Sequence, residues 1–187
     1  MADTPNTPTK PGISPWGWPL IVIIATFALD QITKIIIDKF CELGWDQPVI
    51  PGFFDLVYVQ NKGAAWGIFH QHTWLLALIS TAAFVFILFI FKKQNEGNKL
   101  AAFALALLEG GIAGNMVDRI FRAAVIDFLD FHIAGYHWPA FNVADSAICV
   151  SIAILLYIQL FPSKKSDTGK KSDTGKKSDS ASGVAKK

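Results

Sequence analysis

Four long apolar stretches dominate the hydropathy pattern of the chain, over residues 16–37, 74–91, 100–117 and 143–161. A helix needs about 20 mostly apolar residues to cross the hydrocarbon core of a bilayer. The second stretch contains no charged residue, so it would present an apolar surface on every side as a helix. A soluble chain of 187 residues has no room to bury four such helices. The pattern therefore predicts a membrane all-α protein with four transmembrane helices.

The segments between these stretches are short, and two of them have features of extended structure. Residues 53–60 are rich in β-forming side chains and follow the turn signal Pro51-Gly52. Residues 124–131 have a similar composition. With four helices, both segments lie on the same side of the membrane. We expect a small extracytoplasmic β-sheet cradle between helices 1 and 2 and an extended loop between helices 3 and 4.

The two ends of the chain are polar. Residues 1–15 contain four prolines, and residues 162–187 repeat the motif Lys-Ser-Asp-Thr-Gly. The first segment is polar and the repeat has nothing to bury, so we predict disordered termini around a single domain over 16–161. The tail carries eight lysines. It can hold anionic lipid, or it can serve only to keep the chain soluble.

The placement of basic residues predicts the orientation. The side that holds both termini and the 92–99 loop carries twelve lysines, against four basic residues on the other side. Cytoplasmic loops carry the excess of lysine and arginine, so both termini are predicted to be cytoplasmic. A cleaved signal peptide at 19–29 is the alternative, but the basic residues before it reduce to Lys10 and no good cleavage site follows.

Polar residues inside the apolar stretches need a reason, because they are costly in a membrane. Asp30 and Lys34 are four residues apart on one helical face, which favours a structural ion pair over catalysis. Gly110 and Gly114 form a small-xxx-small pattern that lets helices approach closely. Glu109, in the middle of the third helix, has no firm explanation beyond facing the bundle interior or being protonated.

A polar cluster closes the third helix at its outer end. Asn115, Asp118 and Arg119 lie within five residues. Asp118 and Arg119 can form an interfacial charge pair with the arginine reaching toward the headgroups. Alternatively, the cluster orders an active site. Composition and spacing leave the two interpretations open.

Three acids are the main candidates for acid–base chemistry: Asp127, Asp130 and Asp145. In an extended segment, Asp127 and Asp130 point to opposite faces and cannot both serve one site. Asn142 and Asp145 have the spacing of a helix N-cap and its third residue, so capping is the plain alternative for Asp145. Two neighbouring carboxyl groups can share one proton and activate a water molecule without a metal.

Other chemistries have weaker support. The chain has no Gly-x-Ser-x-Gly motif. His70-x-His72 and His132-x4-His137 are possible metal spacings, although such histidines are more often interfacial. Cys41 and Cys149 are expected to be free thiols. We expect no metal, no cofactor and no nucleic-acid partner.

From near Asp30 to about residue 155, the chain resembles the lipoprotein signal peptidases, also called signal peptidase II. Five blocks carry the resemblance, in order: Asp30-Gln31-x-x-Lys34; Asn61-Lys62-Gly63-Ala64-Ala65-Trp66; Gly110-Gly111-x-x-Gly114-Asn115-x-x-Asp118-Arg119; Val125-Ile126-Asp127-Phe128-Leu129-Asp130-Phe131; and Phe141-Asn142-Val143-Ala144-Asp145. Trp66 and Gly67 depart from the residues common in the family, as does Glu109, and the repeat tail is outside its pattern.

The resemblance implies a monomeric four-helix aspartic protease of the bacterial inner membrane, with a periplasmic β-sheet cradle and its active site toward the periplasm. Its substrates would be diacylglyceryl-modified prolipoproteins, cut just before the lipid-bearing cysteine. Asp127 and Asp145 would be the catalytic pair. The supporting and substrate-binding residues implied by the motifs are Asp30, Lys34, Asn61, Gly63, Asn115, Arg119 and Asn142.

Two other functions stay open on the residues alone. In a small transporter or channel, Asp30, Lys34, Glu109 and Asp145 would line a proton or ion path. In a non-catalytic scaffold, the protein would bind lipoproteins without cutting them. The first predicts ion flux, and the second predicts binding that survives loss of Asp127.

Overall fold

The computed structural model describes residues 17–63, 72–94 and 98–161. Four helices are long and apolar enough to cross a membrane: α1 (Gly17–Phe40), α2 (Thr73–Gln94), α3 (Lys99–Phe121) and α4 (Val143–Leu160). The prediction of four transmembrane helices is confirmed. The predictions about residues 1–15, the lysine-rich tail, Ala64–Trp66, Gly67 and His70 concern residues outside the described ranges.

Helix α3 is the centre of the bundle and packs against α1, α2 and α4. Three glycines on α3 make this packing possible, since a Cβ added to any of them would collide with a neighbouring helix. At Gly110 it would lie 2.7 Å from the Cβ of Thr26, and at Gly111 it would lie 2.7 Å from the carbonyl oxygen of Ala144. The expectation of close helix approach along this stretch is confirmed.

A four-stranded antiparallel sheet lies at one end of the bundle, where it follows α1 and α3 and precedes α2 and α4. Its strands are β1 (Asp46–Ile50), β2 (Phe54–Asn61), β3 (Val125–Ile133) and β4 (Tyr136–His137), in that spatial order. The cradle predicted between helices 1 and 2 is present. The extended loop expected between helices 3 and 4 instead supplies two strands of the same sheet. The backbone of β3 needs partners because most of this strand is buried, and β2 provides them.

The sheet is anchored to the end of α1 by apolar contacts. Ile37 of α1 packs in a cluster with Tyr58 of β2 and with Ile126 and Phe128 of β3. The cluster ties the cradle to the helical bundle, so β3 is held in a fixed position relative to α1 and α3. The residues on either side of this cluster are therefore well placed to build a site.

Candidate active site

A cleft of about 430 Å³ lies where β3 meets α3 and α4, and both Asp127 and Asp145 line it. Its other lining residues are Asn61, Arg119, Val125, Trp138, Pro139, Ala140, Phe141, Ser146 and Cys149. The structure thus brings together the two acids that the sequence paired. Most of the remaining walls are apolar.

Asp127 projects from β3 and is only 2% exposed. Its carboxylate accepts two side-chain hydrogen bonds, from Asn142 Nδ2 to Oδ1 at 2.7 Å and from Asn61 Nδ2 to Oδ2 at 3.0 Å. Burial raises the pKa of Asp127 to about 7, and the negative charge of Asp145 adds to the rise. The hydrogen bonds from Asn61 and Asn142 lower the pKa without cancelling the rise. Asp127 is therefore a carboxyl group that can hold a proton near neutral pH.

Asp145 lies in the first turn of α4, and its two carboxyl oxygens make different contacts. It completes a capping box, in which Asn142 Oδ1 accepts from the Asp145 backbone N–H at 3.0 Å and Asp145 Oδ2 accepts from the Asn142 backbone N–H at 3.2 Å. Its other oxygen, Oδ1, accepts from Asn115 Nδ2 at 2.7 Å. The sequence left capping of α4 and a place in an active site as alternatives for Asp145. In the structure, Asp145 caps the helix and also lines the cleft.

Asn142 joins the two acids. Its amide nitrogen donates to Asp127, and it also lies 3.2 Å from the Asn115 Oδ1 and 3.2 Å from the carbonyl oxygen of Ile126. The side chain is fully buried. Because the same residue caps α4 beside Asp145, it fixes the position of β3 relative to the start of α4.

Lys34 is the central cation of a fully buried network beneath the cleft. Its ammonium lies 2.8 Å from Asp30 Oδ2, 2.8 Å from Asp118 Oδ2 and 2.9 Å from Asn115 Oδ1. Since Lys34 donates to the oxygen of Asn115, the amide nitrogen of Asn115 is turned toward Asp145. Asp30 in turn accepts from the Ala144 backbone N–H at 2.9 Å. The predicted Asp30–Lys34 ion pair is confirmed, and it also links α1 to α3 and α4.

The charge pair between Asp118 and Arg119, one of the two interpretations that the sequence left open, is not formed. Asp118 pairs with Lys34 and, one turn along its own helix, with Arg122. Residues four apart share a helical face, whereas adjacent residues point in different directions. Arg119 instead lines the cleft, where Nη1 donates to the Asn115 carbonyl at 3.2 Å. Its Nε is buried without a hydrogen-bond partner in the described part of the chain.

Gly63 contributes through its backbone. Its N–H donates to Asn61 Oδ1 at 2.9 Å, which leaves the amide nitrogen of Asn61 facing Asp127. The supporting residues implied by the motifs therefore all lie in the cleft or in the hydrogen-bond network around it.

Other polar candidates lie elsewhere. Asp130 is on the opposite face of β3 from Asp127, as alternation predicts, and pairs with His137. The spacing His132-x4-His137 brings the two rings together, but no group of three or more His, Cys, Asp or Glu side chains in the described ranges could hold a metal ion. Glu109 is 1% exposed and lies outside the cleft, and neither carboxyl oxygen has a hydrogen-bond partner among the described residues.

Four apolar helices, a sheet at one end of the bundle and a cleft with two carboxyl groups define a multi-pass membrane enzyme. A family model described as signal peptidase (SPase) II matches residues 22–161, and the chain belongs to this family of aspartic peptidases. It is 44% identical over 154 residues to a lipoprotein signal peptidase of Ralstonia nicotianae, covering 80% of this chain and 86% of that one. It is 40% identical over 146 residues to a lipoprotein signal peptidase of Bacillus pumilus, covering 78% and 94%.

Solved structures agree with the fold. One, described as a bacterial membrane enzyme structure at 2.3 Å resolution, has a TM-score of 0.75 and 31% sequence identity, covering 82% of this chain and 95% of that one. A second bacterial membrane enzyme, at 1.9 Å resolution, has a TM-score of 0.71 and 31% identity, covering 78% and 94%.

Proposed function

We propose that the protein is an intramembrane aspartic endopeptidase that removes the signal peptide from diacylglyceryl-modified prolipoproteins, cutting before the lipidated cysteine. The lipoprotein signal peptidases that it resembles support this substrate class. The observation that carries the proposal is the placement of Asp127 and Asp145 in one cleft, joined through Asn142.

The charges around the cleft support a pair of aspartates that shares one proton. The polar network contains the four carboxyl groups of Asp30, Asp118, Asp127 and Asp145. It contains three cations, from Lys34, Arg119 and Arg122. The network therefore has one more carboxylate than cations, and a single added proton makes it neutral. An uncompensated charge in such a buried network is costly, so the singly protonated pair is favoured. Asp145 lies in the first turn of α4, where the helix dipole favours an ionised carboxyl group, and burial raises the pKa of Asp127 to about 7, so we assign the proton to Asp127.

This distribution of charge assigns the chemical steps. Asp145, ionised, takes a proton from a water molecule, and the water oxygen attacks the carbonyl carbon of the scissile peptide. Asp127, protonated, donates a hydrogen bond to the carbonyl oxygen and stabilises the developing negative charge. The tetrahedral intermediate then breaks at its C–N bond, and the leaving amine takes up the proton that Asp145 removed from water. Both aspartates return to their starting states.

The surrounding amides position the pair and do not titrate. Asn61 and Asn142 hold Asp127, and Asn115 holds Asp145. Lys34 and Asp30 act indirectly: Lys34 orients Asn115, and Asp30 holds the start of α4. Catalysis of this kind depends on holding groups in a fixed geometry, so these residues are positioning residues.

The placement in the membrane follows from the substrate. A lipidated signal peptide lies in the bilayer with its modified cysteine near the outer surface, and the apolar walls of the cleft suit acyl chains. We place both termini in the cytoplasm, the active site toward the periplasm and the peptidase domain at 16–161. The protein would act as a monomer embedded in membrane lipid.

The experiment is cleavage of a diacylglyceryl-modified prolipoprotein by the purified full chain in detergent, with EDTA present. We expect wild-type protein to cut before the modified cysteine, as read by mass spectrometry. Asp127→Asn and Asp145→Asn should each lower the rate by about 10³-fold or more, a loss typical of removed acid–base groups. The matched control is Glu42→Gln, an exposed acid in the turn after α1, which should cleave at the wild-type rate.

Two outcomes would contradict the proposal. Activity that survives either dyad substitution in a folded protein would remove that residue from the mechanism. Absence of cleavage by wild type, together with ion flux when the protein is placed in liposomes, would favour a transporter.

A further inference from the structure

A second cluster of titratable side chains lies on the sheet, outside the cleft. It consists of Asp55 on β2, Asp130 and His132 on β3, and His137 on β4. Asp55 and Asp130 are directly opposite each other in the β2–β3 pairing, and His132 and His137 are opposite each other in the β3–β4 pairing. Since Asp130 and His132 are two residues apart in a strand, all four side chains share one face of the sheet.

Each histidine lies against one of the acids. His137 Nδ1 is 2.8 Å from Asp130 Oδ2, and His132 Nε2 is 3.1 Å from Asp55 Oδ2. The distance between His132 and Asp55 is that of an ion pair, but the two groups are not aligned for a hydrogen bond. His132 Nε2 therefore has no hydrogen-bond partner among the described residues. The two imidazole rings are stacked, with centroids 4.6 Å apart and planes 12° apart.

The two acids are buried and incompletely paired. Asp55 is 7% exposed and Asp130 is 9% exposed. The Oδ1 atom of each has no hydrogen-bond partner in the described part of the chain. The His137 side chain, in contrast, is 53% exposed and can exchange protons with solvent.

This arrangement depends on the charge of the histidines. Like charges placed directly opposite each other in a sheet are destabilising. Protonated imidazoles compensate the two carboxylates, whereas neutral imidazoles leave them facing each other. Histidine is the side chain whose charge ordinarily changes between pH 5 and 8. On the neighbouring strand β1, Pro48 is opposite Asp55, and Asp46 on the same face adds further negative charge.

The cluster is connected to the cleft through the chain. His137 is followed directly by Trp138–Phe141, which form one wall of the cleft. The Trp138 N–H donates to the carbonyl oxygen of Phe131 at 2.8 Å, so the wall continues from the β3–β4 hairpin. A change in how tightly β4 is held therefore changes the packing of the Trp138–Phe141 wall, which lies opposite α4 in the cleft.

We propose that His137 is a positioning residue for the cleft, and that with His132, Asp55 and Asp130 it forms a pH-dependent latch on the β3–β4 hairpin. When the histidines are protonated, the latch is closed and the Trp138–Phe141 wall is held against the substrate. When the histidines are neutral, the latch is loose. The consequence for substrate binding rests on the proposed peptidase function, but the motion of the wall does not.

The first test measures the wall without any substrate. Cys149 lines the same cleft, so its alkylation by N-ethylmaleimide in a Cys41→Ser protein reports on how closely the wall packs. At each pH, the rate for His137→Gln is divided by the rate for the parent, which cancels the titration of the thiol itself. We expect a ratio of about 3 at pH 6, falling to about 1 at pH 8, as fits a partly exposed ion pair. His72→Gln, at an exposed position, is the control and should give a ratio near 1 throughout.

The second test separates a latch from a merely structural role. At pH 6, His137→Gln should raise the KM for the lipidated substrate about threefold with kcat unchanged. His137→Lys keeps a positive charge at every pH, so it should keep the low KM at both pH 6 and pH 8. Asp130→Asn removes both the partner of His137 and the repulsion between Asp130 and Asp55, so its KM should change less between pH 6 and pH 8 than that of wild type.

An alkylation ratio that stays near 1 at every pH would overturn the latch, as would a His137→Gln protein with the pH profile of wild type. If the protein cleaves no lipoprotein but the alkylation ratio changes with pH as expected, the proposed function fails and the latch stands.

Discussion

Two pairs of carboxyl groups meet on strand β3, and they differ in their neighbours. Asp127 faces Asp145 in the cleft, whereas Asp130, on the other face of the strand, lies opposite Asp55. The first pair is surrounded by the side-chain amides of asparagines, which donate hydrogen bonds but do not titrate. The second pair is in contact with two histidines, which take up protons themselves.

The difference teaches that two adjacent acids do not by themselves define an active site. Amide donors do not titrate, so a proton shared by the first pair stays on a carboxyl group. Imidazoles can carry charge themselves, so the contacts of the second pair are ion pairs only when the histidines are protonated. The side chains around each pair, more than the acids themselves, decide whether the pair holds a proton or forms ion pairs.

Removing the cation beneath the cleft should have the largest effect. Lys34→Met leaves Asp30 without its buried ion-pair partner, while Asp118 keeps Arg122. Breaking a buried pair from one side typically costs about 3–5 kcal/mol. We expect a loss of this size in the free energy of unfolding, measured by denaturation in mixed detergent micelles, with loss of cleavage. Lys39→Met, on the exposed side of the same helix, should change stability by less than about 1 kcal/mol. Equal losses in the two variants would contradict the role given to Lys34.

The pH dependence of cleavage should distinguish the two carboxyl pairs. Asp127 acts in its protonated form, and its pKa is about 7, so kcat/KM should fall as the pH rises through about 7. The hydrogen bond from Asn61 lowers this pKa, so Asn61→Ala should move the fall in rate to higher pH. Both profiles are measured in a His137→Gln background, where the proposed latch does not contribute. A shift of the Asn61→Ala profile to lower pH would contradict the assignment of the proton to Asp127.

The smallest effect is expected at the turn of the hairpin. Ala134 and Gly135 both have positive φ, 51° and 82°, as a two-residue hairpin turn requires. Glycine adopts this conformation without strain, so Ala134→Gly should stabilise the protein by less than about 1 kcal/mol and slow the alkylation of Cys149. Ala123→Gly, with φ of 55° just after α3, is the matched control. It should leave the alkylation rate unchanged, and a slower rate there would show that the effect is not specific to the hairpin.

The helices were the most predictable part of the structure, because the length and local composition of a segment show whether it can cross a membrane. The third apolar stretch ends at residue 117, yet α3 continues to Phe121. The last turn continues through polar residues because Asp118 and Arg122 pair within it and Asp118 also pairs with Lys34. Hydropathy marks the membrane boundary of a helix and not the end of its hydrogen bonding.

The sheet was predicted only in part. The composition of residues 53–60 indicated β2, but its pairing with β3 joins residues more than 60 positions apart. Such a pairing follows from how the helices bring two loops together, which no local pattern contains. The same reason explains why the segment after α3 was expected to be an extended loop.

Within the site, local chemistry identified Asp127 and Asp145 as candidates, and the family resemblance selected them as the pair. The bridging role of Asn142 depends on contacts between β3 and α4, so it needed the structure. The spacing already favoured Arg122 over Arg119 as the partner of Asp118, since Arg122 stands four residues later on the same face.

The capping box makes the backbone amide of Asn142, the N-cap residue of α4, a reporter of the charge on Asp145. Asp145 Oδ2 accepts from the Asn142 backbone N–H, while Oδ1 faces the cleft side of the network. A proton added to this carboxyl group weakens it as an acceptor, and the Asn142 amide is then held less firmly. Its exchange with deuterium would therefore record the charge of Asp145 from within the backbone, in protein that carries no label and has met no substrate.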